Sequence, residues 1–286
     1  MTQIIDGKVL AGQIKDQVAA DVAQIKAQGG QVNFAAILVG DDPASQIYVR
    51  NKQRACEKVG INFTLHPLPA NCHQRQIVDL ITKLSRDQKV HGILLQLPLP
   101  ASVVGRDEAA AINAIDPTKD VDGLTIANTG RLCVGDSQLV PCTAQGVLCA
   151  IQSVCPDLTG KNVVVVGRSR IVGRPTALLL LNQNATVTVC HRHTTNLAAH
   201  TKAADIVVVA AGCAGLITKD MVKPGAIVID VGINRLPDGR LVGDVDYAGV
   251  ASQASAITPV PGGIGPLTIA FLMRNLVTAY QLQHVR

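Results

Sequence analysis

The sequence predicts an α/β protein of two domains, and three observations carry that prediction. With 286 residues, 48% of them apolar, the chain has material for two buried cores. Short apolar runs alternate with longer helical patterns along its whole length, as expected of strands joined by crossover helices. Late in the chain, the β-branched run Val163 to Val166 leads straight into GRSRIVGR, as a buried parallel strand leads through a turn into a helix.

The elements follow in order. A helix is expected over residues 7–28, stopped by Gly29 and Gly30, and NFAAILVG then reads as a strand. In DDPASQIYVRNKQRACEKVG, Asp42 is a natural N-cap, Pro43 suits the first helical position and Gly60 is placed to end the helix. A strand near 62–68, a helix around 74–85 and the apolar strand GILLQLPLP complete the first half. The boundary is set near Pro141, giving an N-terminal α/β domain over 1–142 and a second domain over 143–267, bridged by the helix that opens in VPCTAQGVLCAI. In the second domain VVVVG, TVTVC, DIVVVAAG and GAIVIDVG are the strands. A terminal helix from residue 268 follows a Pro and Gly cluster, and chain order places 268–286 back against the first domain.

Bulk properties exclude several classes. No apolar run approaches the roughly eighteen residues that cross a bilayer, and the N-terminal stretch is broken by charges, so a cytoplasmic protein without membrane attachment is expected. Eight cysteines are scattered without a CxxC pair, which argues against zinc ribbons and for reduced, buried thiols. The net charge of +5 is mild and interspersed, and with 2% aromatics and no Trp the stacking platforms of nucleic-acid binders are missing. Small anionic ligands fit better.

VVVVGRSRIVGR supplies a candidate site for such an anion. A sharp turn at Gly167 lets a phosphate approach the backbone, with helix N-terminal amides facing it. Gly167 and Gly173 stand six apart with Ser169 between them, which is not the usual dinucleotide spacing, and a tight strand-to-helix connection is the plain alternative. The next strand, TVTVC, ends in His191, Arg192 and His193, where an NAD site usually carries an acid for the ribose hydroxyl. Arg168, Arg170 and Arg192 match an extra phosphate, favouring NADP over NAD. His191 and His193 are expected on opposite faces, so a structural role is preferred to metal ligation.

The candidates for chemistry lie earlier. Tyr48 and Lys52 are four apart and share one helix face, a pattern that ordinary amphipathic surface also gives. Gln96 interrupts an apolar strand near its C-terminal end, where α/β sheets bind ligands and a buried amide needs a partner. Asp122 lies in the polar turn KDVDGL, where turn chemistry alone accounts for an acid.

YVRNKQRACEKVGI, GILLQLPLP, DPTKDVDGL, VVVVGRSRIVGRP, GAIVIDVGIN and ITPVPGGIGPLTIA occur in that order and cover nearly the whole chain. Together they resemble the bifunctional methylenetetrahydrofolate dehydrogenase/cyclohydrolase family. The resemblance implies a C-terminal Rossmann-like NADP domain with a parallel sheet, an N-terminal substrate domain and an active-site cleft between them. It implies NADP-dependent oxidation of 5,10-methylenetetrahydrofolate to the methenyl cation, then hydrolysis to 10-formyltetrahydrofolate, with tetrahydrofolate derivatives and a second copy of the chain as partners and no metal. Carried over by motif, Lys52 is the general acid/base, Gln96 orients it, Tyr48 stacks on the folate and Asp122 accepts hydrogen bonds from the pterin. Pro261, Gly262 and Gly263 let backbone approach the substrate, Gly167, Arg168, Ser169 and Arg192 hold the cofactor phosphates, and Ile233 meets the nicotinamide end. Leu267 and Arg170 depart from the family's commoner residues without touching the proposed catalytic groups. Two other readings stay open: a dehydrogenase without the hydrolase, and a nucleotide-sensing module without chemistry.

Overall fold

A computed structural model describes residues 2–284. The chain begins with β1 (Gln3–Ile4), α1 (Gly7–Ala27), β2 (Asn33–Val39), α2 (Pro43–Val59), β3 (Asn62–Leu68), α3 (Gln74–Arg86) and β4 (Gly92–Leu95). Two short helices, α4 (Glu108–Asn113) and α5 (Ile126–Cys133), precede α6 (Cys142–Gln152). Strands and helices then alternate through β5 (Asn162–Val166), α7 (Gly173–Leu181), β6 (Thr186–Cys190), α8 (Leu197–Ala203), β7 (Ile206–Val209) and β8 (Ile227–Asp230). The last elements are β9 (Asn234–Arg235), β10 (Leu241–Val242), α9 (Tyr247–Ala251), β11 (Ala256–Ile257) and α10 (Ile264–His284).

These elements form two compact units: residues 13–140 with 272–286, and residues 1–12 with 141–271. The first is built on a three-stranded parallel sheet in the order β3-β2-β4. Its central strand β2 is buried along nearly its whole length, and its core joins Ala35, Ile37 and Val39 to Ile77, Ile81 and Leu84 of α3. Residues four and seven apart on α3 therefore supply one face, as an amphipathic helix over a sheet requires.

The second unit holds a six-stranded parallel sheet in the order β1-β11-β8-β7-β5-β6. From β5 the chain goes to β6 on one side and, after α8, to β7 on the other. That reversal creates a crevice at the strands' C-terminal ends, where such sheets bind ligands. Val164, Val166, Val207, Val209 and Val228 fill the core beside it, the β-branched runs seen in the sequence.

Several expectations need correction. The first twelve residues join the second unit, because Gln3 and Ile4 pair with Ala256 and Ile257 at the edge of its sheet. A two-residue strand carries no periodicity to read. The helix beginning at Cys142 lies wholly in that unit and does not bridge the two; α1 and α10 are the helices the division cuts. α10 begins at Ile264, before the expected residue 268, since Pro266 in its first turn needs no amide hydrogen bond. Residues 285–286 of the expected terminal segment lie outside the described residues. β4 ends at Leu95, one residue short of Gln96. Of the cysteines, Cys133 and Cys213 are exposed, so only part of the set is buried. Among the described residues no helix is long and apolar enough to cross a membrane.

Candidate active site and cofactor cavity

Helix α2 is set by its ends. Asp42 Oδ2 accepts from the Ser45 amide at 2.8 Å, which holds the Asp42 carboxyl below the usual carboxylate range, and Gly60 closes the helix with φ 81°. Its inward face carries Ser45, Val49, Cys56 and Val59. At 100° per residue, Lys52 falls in the middle of that stripe and Tyr48 at its margin. A lysine at a core phase needs a partner. Lys52 Nζ donates to Gln96 Oε1 at 2.9 Å.

Gln96 is fixed for that contact. Its backbone amide donates to Ile37 O at 2.9 Å, continuing the pairing of β4 with β2 one residue past the strand. Its side-chain Nε2 donates to Leu97 O at 2.8 Å, which turns the amide oxygen toward the ammonium. The lysine and the glutamine are 44 residues apart in sequence and hydrogen-bonded in space. Tyr48 remains half-exposed at 50%.

Asp122 sits in a turn shaped by its neighbour. The buried Asp120 Oδ2 accepts from the Thr125 amide at 2.8 Å and Asn128 Nδ2 at 2.9 Å, and the Gly123 amide bonds Asp120 O at 3.0 Å. The first acid of KDVDGL thus builds the turn, and the half-buried second one is displayed by it. In the other unit the Gly263 amide bonds Pro259 O at 2.8 Å, and Gly262 adopts φ 110°, which a side chain resists. Pro261, Gly262 and Gly263 thus form a tight turn directly before α10.

The second unit holds a cavity of about 650 Å³ at the ends of β5, β6 and β7. Gly167, Arg168, Ser169 and Arg192 all line it. Gly167 has φ 125°, and a Cβ there would overlap the Ala210 carbonyl oxygen, so only glycine fits. Ser169 Oγ accepts from the Val172 and Gly173 amides at 3.2 and 3.3 Å, leaving its proton to donate to an anion. Ile233 is exposed but is not among the lining residues, and neither is Arg170. Sequence reasoning missed Thr194, Ala211 and Cys213 on the wall, whose types carry no signal of their own.

His191 and His193 do not point to opposite faces. Residues two apart share a face even on a strand, and here both follow the end of β6 in a turn, their rings meeting edge-on at 5.9 Å. The His193 amide donates to His191 Nδ1 at 3.2 Å, and Arg192 Nε donates to His193 Nε2 at 3.1 Å, so both rings serve the turn that presents Arg192. The cavity, its glycine-only floor and its two arginines fit a nucleotide with an additional phosphate, as in NADP.

Residues 5–122 match the catalytic domain of tetrahydrofolate dehydrogenase/cyclohydrolase, and residues 141–284 match its NAD(P)-binding domain. The chain belongs to the tetrahydrofolate dehydrogenase/cyclohydrolase family. The bifunctional protein FolD of Moorella thermoacetica is 51% identical over 97% of this chain and 98% of that protein. Among solved structures, the FolD methylenetetrahydrofolate dehydrogenase/cyclohydrolase of Campylobacter jejuni superimposes with a TM-score of 0.95 at 46% identity, covering 99% of this chain and 100% of that one. The Trypanosoma brucei N5,N10-methylenetetrahydrofolate dehydrogenase-cyclohydrolase, solved with NADP and an inhibitor, gives 0.92 at 38% identity over 98% of each chain. Membership in this family accounts for a Lys52–Gln96 pair and a nucleotide cavity occurring in one polypeptide.

Proposed function

We propose that the protein oxidises 5,10-methylenetetrahydrofolate with NADP and hydrolyses the resulting 5,10-methenyl cation to 10-formyltetrahydrofolate. The observation that carries this is the Lys52 Nζ to Gln96 Oε1 hydrogen bond at 2.9 Å, which holds a proton-transfer group in place on a helix. NADP, when bound, supplies the oxidant. Gly167 and Ser169 receive its phosphates, and Arg168 and Arg192 neutralise them, with Arg192 at the 2′-phosphate. Ile233 offers backbone to the nicotinamide end.

In the hydrolytic step water adds to the electrophilic methenyl carbon, and Lys52 as the free amine takes the proton that water loses. The bond from that carbon to N5 then breaks as the new hydroxyl loses its proton to solvent and becomes the formyl C=O, while the Lys52 ammonium returns its proton to N5; one proton is released overall, so atoms and charge balance. Gln96 keeps Nζ aimed throughout. Tyr48 covers the folate ring, Asp122 accepts from the pterin N–H groups, and Pro261, Gly262 and Gly263 allow a close backbone approach. Tetrahydrofolate derivatives are thus the small-molecule partners. The active protein is further assigned as a cytoplasmic homodimer, a state that light scattering at twice the 29.9 kDa chain mass would register.

The test is direct. With methylenetetrahydrofolate and NADP, absorbance should report NADPH, and 10-formyl product should follow. Methenyl accumulation without 10-formyl product would instead mean a dehydrogenase that lacks the hydrolase. NADP binding without folate-dependent NADPH would mean a nucleotide-sensing module.

A further inference from the structure

Two carboxylates deep in the second unit have no part in the chemistry above. Asp230, the last residue of β8, is 3% exposed, and Asp244, just after β10, is fully buried. Asp244 Oδ2 accepts from the amides of Ala211 at 2.6 Å and Gly212 at 2.8 Å, and its Oδ1 accepts from the Cys213 amide at 2.9 Å and Asn234 Nδ2 at 2.8 Å. Asp230 Oδ1 accepts from the amides of Gly232 at 3.0 Å and Asp244 at 2.9 Å, and its Oδ2 from the Val245 amide at 3.0 Å. Ala211 and Cys213 are on the wall of the nucleotide cavity, so the first carboxylate holds part of that wall. The second holds the first, together with the segment leaving β8 toward Ile233.

The two acids are interlocked through glycines. A Cβ at Gly232 would overlap the Asp244 carboxyl, and a Cβ at Gly243 would overlap the Asp230 carboxyl. Each acid therefore occupies space that a glycine beside the other leaves open, and DVG at 230–232 mirrors GDV at 243–245. A core needs no such device. Burying adjacent like charges is costly, and apolar residues of similar volume would fill the space more cheaply. What apolar residues lack is the ability to fix the amides of two successive crossover loops in one geometry.

We infer that Asp230 and Asp244 form a carboxylate pair that positions the loops after β7 and β8 to receive the cofactor. Both are positioning residues, acting only through the amides they hold. The inference rests on the cavity being the NADP site, and hydrolysis of the methenyl substrate, which needs no oxidant, is its internal control. Asp244→Asn keeps the shape but replaces one oxygen with an amino group facing N–H donors. The Michaelis constant for NADP should rise roughly tenfold with a smaller change in dehydrogenase kcat, while hydrolysis of supplied methenyltetrahydrofolate stays at the parent rate. An unmoved NADP constant, or both activities falling together, overturns the inference. Should Asp244→Asn fail to fold, Asn234→Ala removes only the outer donor, and the same split, smaller in size, is required of it. Ser169→Ala separates the two claims: if it leaves the NADP constant unmoved, the cavity assignment fails, whereas a shift there with none in the Asp244 variant sinks only the pair.

Discussion

The two units make their sites from different material. In the unit of residues 13–140 and 272–286, the proposed chemistry is assigned to side chains, Lys52 from a helix and Gln96 just past a strand, each locked by one or two hydrogen bonds. In the other unit the cavity is largely backbone: glycine where a side chain would collide, amides at a helix start, and loops held by buried acids. A side-chain site fails when one functional group is lost. A backbone site fails when its path is bent, and tolerates change in residues that merely line it.

The sharpest way to break that contrast is Lys52→Met. Hydrolysis should fall by about 10² to 10⁴-fold, the usual worth of a positioned proton-transfer group, while NADP binding by calorimetry stays at the parent level. Full hydrolysis by this variant would sink the assigned role.

Gly167→Ala probes the backbone site. The new Cβ meets the Ala210 carbonyl at a φ of 125°, so NADP affinity should drop on the order of tenfold to a hundredfold. Hydrolysis of methenyl substrate should survive, because the proposed proton-transfer pair, Lys52 and Gln96, lies in the other unit. Equal loss of both activities would show that the two sites are not separable in this way.

Arg192→Ala tests a smaller term. The Michaelis constant for NADP should rise roughly tenfold and that for NAD should hardly change, narrowing the preference between them. An equal rise for both cofactors would remove Arg192 from the 2′-phosphate.

The two units also answer acid in opposite senses. His91 is buried beside Tyr280 and accepts from the Asn33 amide at 3.0 Å; burial, followed by His284 and Lys119, pushes it down to about 4. Its contribution is complete above the unfolded value of 6.5 and is lost as pH falls toward about 4, a loss on the order of 3 kcal/mol. Burial, aided by Asp244 and opposed by three backbone donors, pushes Asp230 up to about 6 from 3.8. The folded chain therefore binds a proton at Asp230 before the unfolded chain does, and stability is regained as pH falls from about 6 toward 3.8. The two effects offset each other in the same window. His91→Gln should lose ground to the parent near pH 7.5 and recover it by pH 4.5, read as the difference in Tm. A difference that stays constant across that range would exclude His91 as the acid-sensitive group.

Much of this was legible beforehand. Asp42, Pro43 and Gly60 bracket a helix, and the valine runs mark buried strands, because caps, turns and burial act over a few residues. Lys52 was legible only in part: its spacing from Tyr48 fits an ordinary amphipathic surface as well, and its place among the buried residues of α2 emerged with the structure. Gln96 in an apolar run carried a signal of its own. The faces of His191 and His193 were misread because residues two apart on a strand share a face, and the two rings do meet. The role of Asp244 was invisible, since an acid between Gly243 and Val245 reads as a loop residue until the amides of 211–213 are seen to converge on it.

By itself the sequence determined most of the local elements, an α/β chain with a parallel sheet in its C-terminal half and the residue types able to move a proton or hold a phosphate, all consequences of short-range periodicity and chemistry. Only the tertiary structure decided which of those residues meet. The contact of Lys52 with Gln96, the pairing of Gln3 and Ile4 with Ala256 and Ile257, and the interlock of Asp230 with Asp244 depend on strand order and register, which arise when buried surfaces select one packing from many.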